Sequence, residues 1–360
     1  VIVVALVAVF VVQQTTPPSA PSTNPSASPP PSGGLPGALL YKAQQADGTT
    51  RLWRWDLQSG SVEPGPVIRS GTVELVDAYR AQTGWVGLTA RDERGETAWI
   101  LRSLEEDATL ERIASGDAVA WSPGGLVVDA ASIRHVGEGT ECGTFAMRAY
   151  LPSLGKGSLR FRQPICGTIQ ALVRDETVPF IGLVHGGTAT VSIIGSSSVA
   201  PVVPDHLLVG SSSANDLLVM PSSCLGPGPG PTTSTCPGLA LYLGSAPPKP
   251  YGRGGRRLLP ERVLTWAPGG PSAFVLGTYA DTRGIYRVEV GPSRRLPAPE
   301  LVAPSLAVDV YATVAYDGTL ILTRDGMVST WREGRLEDLP LPDGAPRPDG
   351  PLLWVAALRY

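Results

Sequence analysis

Seven apolar runs recur at intervals of 46, 48, 44, 50, 45 and 43 residues, 42 glycines and 36 prolines punctuate the 360 residues, and no stretch carries a convincing helical period. Together these predict an all-β fold, a seven-bladed β-propeller of four-stranded antiparallel blades over residues 38–360, with the ring closed by the C-terminal strand joining the first blade. Gly and Pro both interrupt helices. A repeat of about 40–50 residues made only of short strands suits a unit that must stack on its neighbours to cover its apolar faces.

The repeated runs are Leu52–Leu57, Ala98–Arg102, Ala146–Leu151, Thr190–Ile194, Leu239–Leu243, Ile285–Val290 and Met327–Trp331. The spacing is measured at Trp53, Trp99, Met147, Val191, Leu241, Tyr286 and Ser329. A second apolar run precedes most of them: Leu39–Tyr41, Trp85–Leu88, Phe180–Val184, Leu217–Met220, Ala273–Leu276 and Leu320–Thr323. We read these as the second strand of each blade and the repeated runs as the third. The first unit then lacks an innermost strand before Leu39, and Leu352–Ala357 is a spare strand at the other end of the chain. Pairing the two would latch the ring.

Two blades share a closer motif. Trp121-Ser122-Pro123-Gly124-Gly125 and Trp266-Ala267-Pro268-Gly269-Gly270 lie 145 residues apart, three blades of the expected length. This resembles the W-S-P-D-G turn of TolB-type, WD-repeat-like propellers, with Gly124 and Gly269 in place of the usual Asp. The resemblance implies that each Trp ends a first strand and that a tight turn follows. It implies nothing about activity, because one fold hosts many functions.

Ahead of the repeats, Val1–Val12 is wholly apolar and no charge appears before Lys42. Twelve helical residues span about 18 Å, short of the ~30 Å hydrocarbon core. The segment is therefore expected to be the tail of a single-pass membrane anchor or the core of a signal peptide, with either the true N-terminus upstream of Val1 or a non-standard start codon at Val1. A buried strand is the remaining reading. Residues 13–37 hold eight Pro, five Ser and three Thr without a charge or an aromatic ring. Such a composition cannot bury a core and favours an extended stalk of up to about 75 Å. The expected location is the cell membrane with the propeller outside the cytoplasm, or secretion if the segment is cleaved.

Charge excludes one class of partner. Lys and Arg total 29 against 32 Asp and Glu, for a net charge of −3, with no basic stripe of the kind nucleic-acid binders carry. The four cysteines, an even number that suits an oxidising compartment, are placed by the strand reading in loops on one face. Cys142 falls between the second and third strands of the third blade, and Cys166 just before the fourth blade. Cys224 and Cys236 flank a Gly/Pro/Ser/Thr loop in the fifth. The expected bridges are Cys142–Cys166 and Cys224–Cys236. Their spacings match no zinc pattern, so neither a metal nor a cofactor is expected.

The longest loops, Asp129–Phe145 and Pro221–Pro237, fall on this face, which makes it the expected binding surface. Candidate ligand-binding residues are Arg134, His135, Glu138 and Glu141 in the first loop, with Arg91 and Arg283 in equivalent loops of other blades. No G-x-S-x-G, H-E-x-x-H, phosphate-loop or Asp-box pattern occurs. Asp47-Gly48, Asp317-Gly318 and Asp325-Gly326 read as hairpin turns, and Arg253–Arg257 as a solvated edge. The resulting expectation is a non-catalytic module that binds a protein or cell-envelope ligand. A hydrolase or lyase working in the central channel, or a wall-associated assembly protein, are the alternatives.

Overall fold

The computed structural model describes residues 37–45, 47–68, 74–80, 86–92, 95–101, 108–121, 127–135, 141–150, 157–174, 179–185, 188–194, 199–211, 216–224, 236–244, 247–252, 255–267, 272–291, 296–305, 307, 309–315, 317–350 and 352–355. The predicted anchor and stalk lie outside these residues. Among the described residues no helix is long and apolar enough to cross a membrane.

The strands form an all-β propeller. Each described sheet has four antiparallel strands, and seven such sheets follow one another along the chain. The first runs Leu352–Val355, Ala38–Gln44, Thr50–Asp56, Val62–Ile68. The second is Glu74–Arg80, Val86–Asp92, Gly95–Leu101, Leu110–Gly116, and the third Ala118–Trp121, Val127–His135, Glu141–Tyr150, Gly157–Cys166. The fourth is Thr168–Arg174, Pro179–His185, Thr188–Ile194, Val199–Pro204, and the fifth His206–Ser211, Leu217–Pro221, Ala240–Tyr242, Lys249–Pro250. The sixth is Leu258–Trp266, Ser272–Tyr279, Thr282–Glu289, Glu300–Pro304, and the seventh Val310–Val314, Leu320–Arg324, Met327–Arg332, Arg335–Asp338.

The C-terminal strand closes the ring as expected, with Leu352 to Val355 pairing antiparallel to Tyr41 to Ala38. Both motif tryptophans, Trp121 and Trp266, are the last residues of first strands. Beyond Trp266 the Ala267 N–H donates to Ser272 O at 2.9 Å and closes the turn. At the seventh sheet Asp325 and Gly326 form a two-residue hairpin turn with φ of 52° and 74°, the conformation such turns require.

The core lies between sheets, and that location explains the second strands. On Ser272–Tyr279, Ala273 and Val275 pack with Leu218, Leu241 and Tyr251 of the fifth sheet, while Phe274 and Leu276 pack with Leu320, Leu322 and Trp331 of the seventh. On the seventh sheet Ile321 turns the other way, joining Leu39, Tyr41 and Leu352 of the first. Leu40 and Leu52 in turn meet Leu88 and Leu101 of the second. A second strand is thus covered on both faces, which removes the polar alternation and leaves a continuous apolar run. Outermost strands have no second neighbour, and Arg335–Asp338 is exposed throughout.

Polar side chains tie several sheets to the next through its backbone. Glu96 Oε2 accepts from Val119 N at 2.8 Å, linking the second sheet to the third. Leu208 N of the fifth sheet donates to Gln170 Oε1 of the fourth at 3.2 Å. Arg262 of the sixth donates to Val310 O of the seventh, and its guanidinium lies 4.9 Å from the Tyr311 ring centroid.

Candidate functional site

In each sheet the turn from second to third strand, the exit of the fourth strand and the entry of the first strand lie at one end. Both disulfides are at that end. Cys142 stands directly opposite Cys166 on neighbouring strands, with a Cα–Cα distance of 4.0 Å. Cys224 closes a single 3-10 turn after Leu217–Pro221, and Cys236 precedes Ala240–Tyr242, with Cα atoms 4.6 Å apart. The second bridge is fully buried against Leu207 and Met220. Arg257 Nη1 donates to Cys236 O at 2.7 Å, and Gly255, Arg256 and Arg257 are exposed, as the solvated-edge reading expects.

The pairing is as expected, but the placement of the first bridge differs. Cys142 lies within the third strand and Cys166 ends the fourth. The second and third strands pair without interruption from Val127 opposite Ala149 to His135 opposite Glu141. Asp129–Phe145 is therefore not one long loop but two strand ends around residues 136–140. The ladder satisfies backbone groups that a loop would leave to water, and it seats Phe145 at 0% exposure between the third and fourth sheets.

The register brings part of the candidate set together. Arg134 is opposite Cys142 and His135 opposite Glu141, at one corner of the third sheet beside the bridge. Glu138 lies outside the described residues. Arg91 is on the second sheet, opposite Glu74 on one side and Glu96 on the other.

Arg283 departs from its expected role. It sits at the predicted end, on the sixth sheet, but its fork is engaged within the chain. Nε and Nη2 donate to the two carboxylate oxygens of Glu261 at 2.7 and 2.8 Å, and Nη1 donates to Ser305 O and Ala307 O, each at 2.8 Å. The Glu261 hydrogen bonds hold this guanidinium even further above its ordinary pKa. Arg283 clamps the first strand, the third strand and the link to the seventh sheet, rather than standing ready as an anion anchor.

A cleft of about 170 Å³ opens at this same end, between the seventh sheet and the 339–350 segment that leads toward the closing strand. Asp309 just before the first strand, Asp325 in the hairpin turn, and Asp349 line it, together with Tyr311, Thr323 and Pro348. Lys42 Nζ lies 3.1 Å from Asp349 Oδ2, and Asp349 N donates to Lys42 O at 2.8 Å. Sequence reasoning missed this site. Of the three Asp only Asp325, in its Asp-Gly pair, stands out in the sequence, as a turn residue, and the three meet only through ring closure. Among the described residues no three histidines, cysteines or carboxylates converge closely enough to hold a metal ion.

No family model matches the chain, and none of the curated proteins does. Solved structures do. The chain is similar to the β-propeller domain of the Trilobed protease from Pyrococcus furiosus, at 8% identity and a TM-score of 0.53, over 86% of this chain and 97% of that one. It is similar to an acylaminoacyl peptidase in complex with Z-Gly-Gly-Phe-chloromethyl ketone, at 9% identity and 0.54, over 85% and 50%. It is also similar to the acylaminoacyl peptidase of Pyrococcus horikoshii, at 8% and 0.53, over 86% and 52%. The chain spans about half the length of these two peptidases. At such identities the likeness is one of fold, a β-propeller resembling the propeller domains of peptidases.

Proposed function

We propose that this chain is a non-catalytic binding or sensor module held outside the cytoplasm. In this reading its seven sheets are the seven blades of one TolB-like ring, and residues 1–37 tether the ring to a membrane through an extended stalk. The observation that carries the proposal is the concentration of both disulfides at one end of the sheets, with an open acidic cleft at that same end. Disulfides persist in oxidising compartments. Pinning the roots of a surface lowers the ordering cost of binding there. The corner formed by Arg134, His135 and Glu141 would supply the wall of the same surface on the third sheet.

A photo-crosslinking amino acid tests the choice of end. It is placed in the full exported chain at Asp281 or Glu141, at the disulfide end, and at Ser59 or Glu333, in turns between third and fourth strands at the opposite end. Adducts from the first pair alone are expected. Adducts from the second pair alone, or from none of the four, overturn the reading.

A further inference from the structure

The cleft at the closure seam carries a statement about what it takes, which rests on the binding reading above. Its rim is acidic. Asp309 and Asp325 are exposed and have no ion-pair partner among the described residues, while Asp349 shares its charge with Lys42. Its walls include the Tyr311 ring and Pro348, surfaces that suit a methylene stem. The Tyr311 ring already accepts a guanidinium, that of Arg262. The stem of Arg347 runs beside Gly326, 3.5 Å from where a Cβ would stand, so a basic side chain of the chain itself lies along the turn that carries Asp325.

Thr323 supplies an observation of a different kind. It forms part of the cleft wall, is only 3% exposed, and its Oγ1 has no hydrogen-bond partner. Orphaned buried hydroxyls are uncommon in native proteins and call for an explanation. An ammonium brings three donors and a guanidinium five, and either would give this oxygen a partner. The volume, about 170 Å³, is below the ~300–1,000 Å³ typical of small-molecule sites and suits one side chain. The carboxylates are too dispersed to hold a metal ion and suit a larger organic cation.

We infer that the cleft bounded by Asp309, Asp325, Asp349 and Thr323 receives the cationic end of a lysine or arginine side chain presented by a protein partner. The seventh sheet and the closing segment form the two sides of the socket. The partner's alkyl stem lies along Tyr311 and Pro348, and its charge meets Asp309 and Asp325.

Fluorescence anisotropy on the full chain tests this with labelled, end-capped Gly-Gly-Lys-Gly-Gly and its arginine, norleucine and glutamate counterparts, and with spermidine as a free-amine competitor. The lysine or arginine peptide should bind, norleucine and glutamate should not, and added salt should weaken binding because exposed charges are screened. D309N/D325N should lower affinity about fivefold or more, with an unchanged unfolding midpoint. Thr323→Val, which keeps the shape and removes the hydroxyl, should also weaken binding. Equal binding of the norleucine peptide, unchanged affinity in D309N/D325N, or no binding of either basic peptide overturns the inference. Spermidine competing as well as the peptide overturns the assignment to a protein side chain. Failure here with crosslinking intact at Asp281 and Glu141 removes only this inference, whereas failure of both removes the reading of the face as well.

Discussion

Replacing Arg283 with alanine separates a clamp from a ligand anchor. The side chain is 24% exposed and its partner Glu261 35%. At that exposure the ion pair is screened and contributes on the order of 0.5–1 kcal/mol. The two hydrogen bonds from Nη1 to Ser305 O and Ala307 O add about 1 kcal/mol each. The expected loss is therefore about 2–3 kcal/mol. Unfolding entropy of about 2.1 cal/mol/K per residue over roughly 320 residues converts this to a drop of about 3–5 °C in the unfolding midpoint. Arg283→Lys keeps the charge but not the fork and should lose about half as much. Glu261→Gln should cost less than Arg283→Ala, since both carbonyl bonds survive. Scanning calorimetry of the two single variants and the double variant gives the coupling directly, expected near the value of the ion pair alone. An unchanged midpoint in Arg283→Ala would refute the clamp and return this residue to the surface available for binding.

Three further outcomes follow from the same contacts. Leu352, 5% exposed in the seam between the first and seventh sheets, should cost about 2–4 kcal/mol when cut to alanine; a urea midpoint within error of the parent would mean that the closing strand does not hold the ring. Cys166 is exposed while Cys224 and Cys236 are 1% and 0% exposed, so a mild reductant followed by alkylation and mass mapping should label Cys142 and Cys166 first. Asp56 Oδ1 accepts from Ser59 N at 2.8 Å and Gln58 N at 2.9 Å, and these bonds, that of Ser59 foremost, hold its carboxyl below the usual range. A depressed folded pKa gives stability that is present above the unfolded value, about 3.9, and lost as pH falls through the folded one. The midpoint gap between the parent and Asp56→Ala should accordingly be open at neutral pH and close in acid.

How much of the fold was legible depended on how each strand is covered. Second strands such as Leu217–Met220 are buried throughout, so they print a continuous apolar run. Third strands such as Thr282–Glu289 are buried over their middle, Gly284 to Tyr286, and again at Val288, and repeat once per sheet. The W-x-P-G-G turns located two first strands, and the unpaired Leu39 run located the closing one. The remaining first strands carry no comparable run; on Val310–Val314 only Val310 and Thr313 are fully buried. The fourth strands were silent for a simpler reason. A strand exposed along its length, like Arg335–Asp338, or only two residues long, like Lys249–Pro250, has no hydrophobic pattern to read.

The end of the sheets that carries both disulfides was legible in the sequence, the contacts of the charges around it were not, and the second residue of the third strand shows why. That position holds Glu96 on the second sheet, Cys142 on the third and Arg283 on the sixth. A carboxylate there takes the next sheet's backbone N–H, a guanidinium takes carbonyls on the way to the next sheet, and a thiol bridges to the strand that leaves for it. All three serve the joint between neighbours. In a sequence, a charge beside a turn looks the same whether it meets solvent or the adjacent sheet, and only the register distinguishes them. The acidic cleft presents the converse problem. Asp309, Asp325 and Asp349 are dispersed along 41 residues, and only Asp325 carries a local signal, its Asp-Gly turn. Their meeting depends on the closing strand, because Asp349 is held by Lys42 only once residues 352–355 have paired with 38–41. Closure and cleft should therefore be lost together. A chain truncated before Leu352 is expected to forfeit basic-peptide binding even where its other sheets remain folded.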